Sequence, residues 1–201
     1  VYNDRATFYD CRLLGYQDTF YVKNKARVYC QDCYIEGNVD FIFGDAVLLC
    51  QGCQLHCNRH NSVITAAASH TGSRFGFCFL DCRLTHITGK DFNGKTFSNF
   101  HLGRPWKQDA RVVFLRCEEP STLNAAAWCR MSEGVDATLF GEYKCTGAGA
   151  AADRLAKREM GGRQLTDAEA AEYTLQNIFS KAANPSKYNA DWTPDAKITL
   201  K

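Results

Sequence analysis

Two aspartates stand in matching phrases of the sequence. Cys11, Gly15 and Asp18 recur as Cys33, Gly37 and Asp40, each displaced by 22 residues. If the chain stacks on itself with that period, the two carboxyls lie one strand spacing apart, about 4.8 Å. Two carboxylates that close repel each other, so one pKa rises and the other falls, separating a proton donor from a base or nucleophile. Gln17, beside Asp18, offers an amide N–H to a developing oxyanion. Tyr16, Phe20 and Tyr21 flank Asp18, and Phe41, Ile42 and Phe43 follow Asp40. Aromatic walls beside paired acids suit a carbohydrate cleft, because sugar rings stack on aromatic faces. The plain alternative is a pair of turn or strand-end aspartates without chemistry.

The elements that must position these residues are marked by the cysteines, 11 in number and therefore not all paired. Cys30 and Cys33, then Cys50 and Cys53, have the spacing of a four-cysteine zinc site. Both pairs lie in runs of strand-forming residues, where side chains three apart face opposite sides. A zinc knuckle needs a tight turn between its cysteines, and only Gly52 hints at one. The competing reading is an internal repeat. Cys11, Cys33, Cys53, Cys82 and Cys117 close similar short phrases and advance by 22, 20, 29 and 35 residues. Near-constant early steps with later insertions describe a solenoid of strand coils with loops of variable length, the cysteines forming one internal apolar column. Such a column can approach disulfide range, and the sequence does not show which pairs, if any, are oxidised.

The same residues carry a family likeness. Gly15-Tyr16-Gln17-Asp18-Thr19-Phe20-Tyr21, Gly37-Asn38-Val39-Asp40-Phe41-Ile42-Phe43-Gly44 and Leu102-Gly103-Arg104-Pro105-Trp106 resemble, in order, three signatures of the pectin methylesterases. The likeness continues through Phe140-Gly141-Glu142-Tyr143 to Asp191-Trp192-Thr193-Pro194, and the tail looks more bacterial than plant-like. The resemblance implies an all-β fold, a right-handed parallel β-helix, which removes methyl esters from polygalacturonate without metal or cofactor. It implies Asp40 as the nucleophile, Asp18 as the acid and then base, Gln17 as an oxyanion donor and Arg104 as the partner that aims Asp40. Trp106 would line the sugar cleft, Val39, Phe43 and Tyr21 match further cleft positions, and Trp128 is a second candidate aromatic wall. The family's further glutamine motif belongs roughly one coil before Gln17, and the sequence begins at Val1 without room for it. N-terminal coils are therefore expected to be missing, supplied by an absent segment or a companion chain, and the chain alone is expected to be poorly soluble or inactive.

The remaining features bound these readings. With 201 residues, 45% hydrophobic and 23% charged, the chain can bury a sizeable core. A formal net charge of +2 gives no argument for nucleic acid, and no apolar run reaches the roughly 18 residues of a membrane helix. No Gly-x-Ser-x-Gly elbow supports a serine esterase. His56 and His60 are four apart, in a region that reads as strand and turn and not as a helix. Arg59, one coil beyond Asp40, reads either as a contact for a substrate carboxylate or as a solvated loop residue. Residues 1–164 are expected to form the coils, and 165–201 a helix and an extended tail of the same domain. A capping box at Thr166 and Glu169 opens that helix, expected to run to about Ser180 with Tyr173, Ile178 and Phe179 on its apolar side. A polymeric substrate implies a secreted or periplasmic protein. Two other functions stay open: a pectin-cleaving glycosidase using the paired acids, and a non-catalytic polysaccharide-binding β-helix.

Overall fold

The computed structural model describes residues 1–195. Three parallel sheets wrap a common interior, as the period of the repeat requires. The longest pairs β1 (Ala6–Tyr9), β4 (Arg27–Gln31), β7 (Val47–Gln51), β10 (Phe77–Leu80), β13 (Arg111–Leu115), β14 (Leu139–Tyr143) and β15 (Arg163–Gln164) in that order. The second pairs β2 (Arg12–Leu14), β5 (Tyr34–Gly37), β8 (Gln54–Cys57) and β11 (Arg83–His86). The third pairs β3 (Phe20–Val22), β6 (Val39–Gly44), β9 (Ser62–Ala67) and β12 (Phe100–Pro105). Each turn of the chain visits the three sheets in succession, so the fold is a parallel β-helix. Among the described residues no helix is long and apolar enough to cross a membrane.

The repeat seen in sequence is a corner. Asp10, Asp32, Gly52, Asp81, Arg116 and Lys144 all take positive φ, between 47° and 64°, at the bend from the first sheet to the second. A small cysteine follows each of them; the Cys11 thiol donates to the Tyr9 carbonyl of its own coil, and from Cys33 onward the thiol points at a main-chain carbonyl of the coil before. Cys33 donates to the Phe8 carbonyl at 3.5 Å, Cys53 to Cys30 at 3.6 Å, Cys82 to Cys50 at 3.4 Å and Cys117 to Phe79 at 3.5 Å. Cys145 extends the column by one more coil, donating to Phe114 at 3.4 Å, one step past the repeat that the sequence shows ending at Cys117. All 11 cysteines are free thiols. Cys30 and Cys50 are direct register partners inside the first sheet, whereas Cys33 and Cys53 belong to the corner column. Among the described residues no group of three or more His, Cys, Asp or Glu is arranged to hold a metal ion.

Side chains of successive coils stack in register inside the solenoid. Val28, Leu48, Phe77, Val112 and Phe140 form one column, all at most 1% exposed. Trp128 lies flat on Phe140, ring centroids 4.1 Å apart, and is fully buried. This corrects the expectation that Trp128 walls a sugar cleft: its indole closes the end of the apolar core instead. Beyond it the interior ends in a polar plug, Arg158 set between Glu119 and Glu142, with all three side chains at most 1% exposed. Arg158 reaches Glu142 at 2.6 Å and Glu119 at 3.0 Å. Burial, and then the Glu142 charge, push the Glu119 carboxyl up to about 10, and the Arg158 guanidinium opposes them.

The C-terminal segment covers the outer face of the first sheet. It is not the single helix expected: α1 (Asp167–Ala171) and α2 (Leu175–Ile178) are separate short turns. The capping box at Thr166 is present, but Thr174 caps a second start by accepting the Asn177 N–H at 3.1 Å, which breaks the helix at Glu172 and Tyr173. Leu165, Ile178, Phe179 and Tyr188 pack on Tyr29, Leu49, Cys78 and Val113. Residues 184–195 are also not a plain extended tail, since Tyr188 is 3% exposed and its ring lies 4.1 Å beneath the buried Arg27 guanidinium. Arg27 further donates to the carbonyls of Phe179 and Ala190, both at 2.8 Å, and so ties this segment to an early coil. The part of the expected tail at 196–201 lies outside the described residues.

The plug gives a direct expectation. Arg158→Met leaves two buried carboxyls without their cation and lowers the unfolding free energy by about 3–5 kcal/mol in urea titrations; a loss under about 1 kcal/mol contradicts the role.

Candidate active site

The third sheet builds the site. Its register sets Phe20 beside Ile42 and Tyr21 beside Phe43, so two residues earlier Asp18 lies over Asp40. The Asp18 N–H donates to the Val39 carbonyl at 3.1 Å, fixing that stacking through the main chain. Both aspartates take the left-handed region, φ 58° for Asp18 and 52° for Asp40. The same conformation recurs at the corner residues Asp10, Asp32 and Asp81, so it marks equivalent places of the repeat.

Arg104 reaches Asp40 from two coils away. Tyr21, Phe43, Ala66 and Arg104 are successive register partners on one outward column. The small Ala66, 2% exposed, leaves the space over which the guanidinium returns to the second coil. Nε donates to Oδ1 and Nη2 to Oδ2 of Asp40, each at 2.8 Å, a bidentate pair. The pairing raises the Arg104 pKa, so the guanidinium stays charged. Gly103 makes the approach possible: a Cβ there would stand 2.0 Å from the Thr65 hydroxyl, which is itself committed to the Leu102 carbonyl at 2.9 Å.

Asp18 is the more open of the two acids, with Gln17 exposed beside it, whereas Asp40 is only 7% exposed. Burial, then the Asp40 charge, push the Asp18 carboxyl above its ordinary value, and Arg104 opposes them. Gln17, Asp18, Asp40, Phe43, Arg104 and Trp106 line one pocket of about 220 Å³ with Ala66 and Met131. Tyr21 stacks on Phe43 at 4.2 Å and 4°, and Trp106 stands across both rings at 6.4 and 6.0 Å. A groove of about 630 Å³ adjoins, lined by Tyr21, Trp106, Lys23, Lys107 and His70 among others.

Most residues singled out in the sequence therefore converge, and three do not. Val39 meets Asp18 through its main chain and does not line the pocket. Arg59 sits in the loop between β8 and β9, outside the pocket lining. Trp128 belongs to the core. Ala66 and Met131 were missed: an alanine inside an apolar strand carries no chemical signal, and Met131 follows no repeat. Chemically the pocket offers a fixed carboxylate, a second carboxyl disposed to hold a proton, an amide donor and an aromatic wall.

Comparison with known proteins gives the family and the shared fold. The family described as Pectinesterase matches residues 1–182. The chain is 34% identical to Pectinesterase 31 of Arabidopsis thaliana over 85% of its own length, and 36% identical to Pectinesterase A of Emericella nidulans over 73%. It spans 51% and 43% of those two proteins. Among solved structures, the pectin methylesterase from carrot superposes with a TM-score of 0.75 at 29% identity, covering 94% of this chain and 62% of that one. A pectin methylesterase crystallised with a hexasaccharide gives 0.72 at 28%, covering 96% and 59%. A family match over nearly the whole chain, the shared fold and the converging carboxyls lead to one conclusion: the chain belongs to the pectinesterase family.

Proposed function

We propose that this chain carries the catalytic coils of an extracellular or periplasmic esterase that removes methyl groups from methyl-esterified polygalacturonate. The observation that carries the reading is the bidentate Arg104–Asp40 pair standing beside a carboxyl of raised pKa. The chain spans about half the length of the curated relatives it matches, so the activity is proposed on its own residues.

The steps follow from the pocket. Asp40, paired with and aimed by Arg104, attacks the C6 carbonyl carbon of a galacturonate methyl ester. The carbonyl oxygen takes the negative charge and receives the Gln17 amide N–H. Protonated Asp18 gives its proton to the methoxy oxygen as the C–O bond breaks, and methanol leaves. The carboxylate that remains on Asp18 then removes a proton from water, which attacks the mixed anhydride. The free uronate departs, and Asp40 and the Asp18 proton are restored. Sugar rings on either side of the reacting residue lie against Trp106, Tyr21 and Phe43. No metal enters these steps; the charge is handled by the guanidinium and the amide. A glutamine from a preceding coil, or a companion chain supplying one, would add a second oxyanion donor.

Methanol and reducing ends measured together test the reading. Turnover of methyl-esterified polygalacturonate, by the chain alone or joined to a segment that supplies the second oxyanion donor, should yield methanol with no new reducing ends, and Asp40→Asn should lower that rate by about a thousandfold or more. New reducing ends would point to a glycosidase, and binding without turnover to a polysaccharide-binding protein; either result contradicts the esterase.

The register makes a second demand. Ala66→Leu puts a branched side chain in the path of Arg104 and should lower kcat/KM by about ten- to a hundredfold, while Ala66→Gly keeps it. Equal activity of the two variants contradicts the path assigned to Arg104.

A further inference from the structure

A second groove, of about 530 Å³, lies over the outer face of the β2–β5–β8–β11 sheet, beside the loop that joins β11 to β12. Tyr16 and Phe92 stand on its rim, each 62% exposed, their rings edge to face at 5.4 Å. Isolated exposed apolar side chains are ordinary, but these two are held in place by built structure. Phe92 follows Asp91, a carboxylate 6% exposed that accepts the N–H groups of Asn93 at 2.9 Å, Lys95 at 3.0 Å and His60 at 3.2 Å. The Asp91 N–H returns to the Lys95 carbonyl at 2.8 Å, closing the turn. A buried charge thus fixes a turn whose next residue is an aromatic ring in water. Tyr16 is fixed as well: its carbonyl accepts the Asn38 N–H at 2.8 Å, and it directly precedes Gln17 and Asp18 of the ester pocket.

The floor of the groove supplies charge. Glu36 accepts the Tyr34 hydroxyl at 2.7 Å and the Asn58 amide at 3.1 Å. Burial works against its ionised form, but these two bonds prevail and hold the carboxyl below its ordinary value. Burial also lowers the His56 pKa, leaving that ring neutral near pH 7. Lys90 is the cation on the lining, against the two carboxylates of Glu36 and Asp91. Arg12, whose guanidinium lies 5.0 Å from the centre of the Tyr34 ring, also acts on Glu36, so the groove offers aromatic faces and the Glu36 carboxylate on its floor without a net excess of charge.

We propose that Tyr16 and Phe92 form a platform for another sugar ring of the polymer held in the ester pocket, and that Glu36 favours a ring still carrying its methyl ester. The apolar C–H face of the sugar packs on the aromatic faces. An ester brings no charge toward Glu36, whereas a free uronate meets like-charge repulsion. This rests on the esterase reading given above. It assigns the platform to the recognition of neighbouring sugars and leaves bond making to the carboxyls.

Methanol release from methyl-esterified oligomers of increasing length tests the assignment in the full chain. Phe92→Ala and Tyr16→Ala should each raise KM about three- to tenfold on the hexamer, with kcat unchanged and a smaller effect on the dimer. Glu36→Gln should make the de-esterified hexamer a better competitive inhibitor by about threefold or more. A KM unchanged at every length, or raised equally at every length, overturns the platform; an unchanged inhibition constant overturns the preference for the ester. If no oligomer releases methanol, the esterase reading itself fails. Calorimetric binding of the methyl-esterified hexamer then judges the platform alone: weaker binding by Phe92→Ala supports it, and equal or absent binding overturns it.

Discussion

The guanidinium of Arg104 gripping both oxygens of Asp40 is the interaction on which the site depends. An aspartate that must act as a nucleophile has to be ionised, aimed and partly withdrawn from water, three demands that conflict in an apolar surface. The bidentate pair meets them together. It supplies the opposite charge, fixes the carboxylate plane and allows Asp40 to be 7% exposed without an unpaired buried charge. Asp18 lies one coil earlier and more open, and feels the negative charge of Asp40 as well as the opposing charge of Arg104. Two chemically identical side chains thereby stand in different surroundings, as the proposed division of roles requires.

That pair exists because coils stack in register. The sequence distance from Asp40 to Arg104 is spanned by two coil spacings, crossed over the small side chain of Ala66. Register in turn is kept by the corners. A left-handed residue bends each coil from the first sheet to the second, a cysteine fills the space behind it, and each thiol from Cys33 onward meets a carbonyl of the coil before. The cysteines that first suggest metal or disulfide chemistry act here as small apolar spacers that set the rise of the solenoid. At the far end Arg158 closes the interior, and along one side Arg27 ties down the C-terminal segment.

Much of this was legible in the sequence because a solenoid turns period into proximity. The 22-residue displacement places Asp18 over Asp40, and the cysteine phrases mark the corners. What stayed hidden depends on side-chain direction. Trp128 has the residue type of a sugar wall, but the strand-like step at Gly103 and Trp128 sends its ring inward onto Phe140. Val39 sits beside Asp40 yet contributes its carbonyl. The break between α1 and α2 follows from a second threonine cap inside a stretch whose apolar pattern reads as continuous. Ala66 shows the converse: its importance lies in what it lacks, and only the register reveals which side chain must pass over it.

The central claim is that Arg104 acts through Asp40, and a double-mutant cycle measures it most directly. The values of kcat/KM for methanol release from methyl-esterified polygalacturonate are compared for the parent chain, Arg104→Ala, Asp40→Asn and the double variant. Residues that work as one unit give non-additive losses. The double variant should be no slower than Asp40→Asn alone, although Arg104→Ala by itself costs about a hundredfold or more. Losses that multiply in the double variant would show that Arg104 serves the reaction independently of Asp40 and would contradict the account.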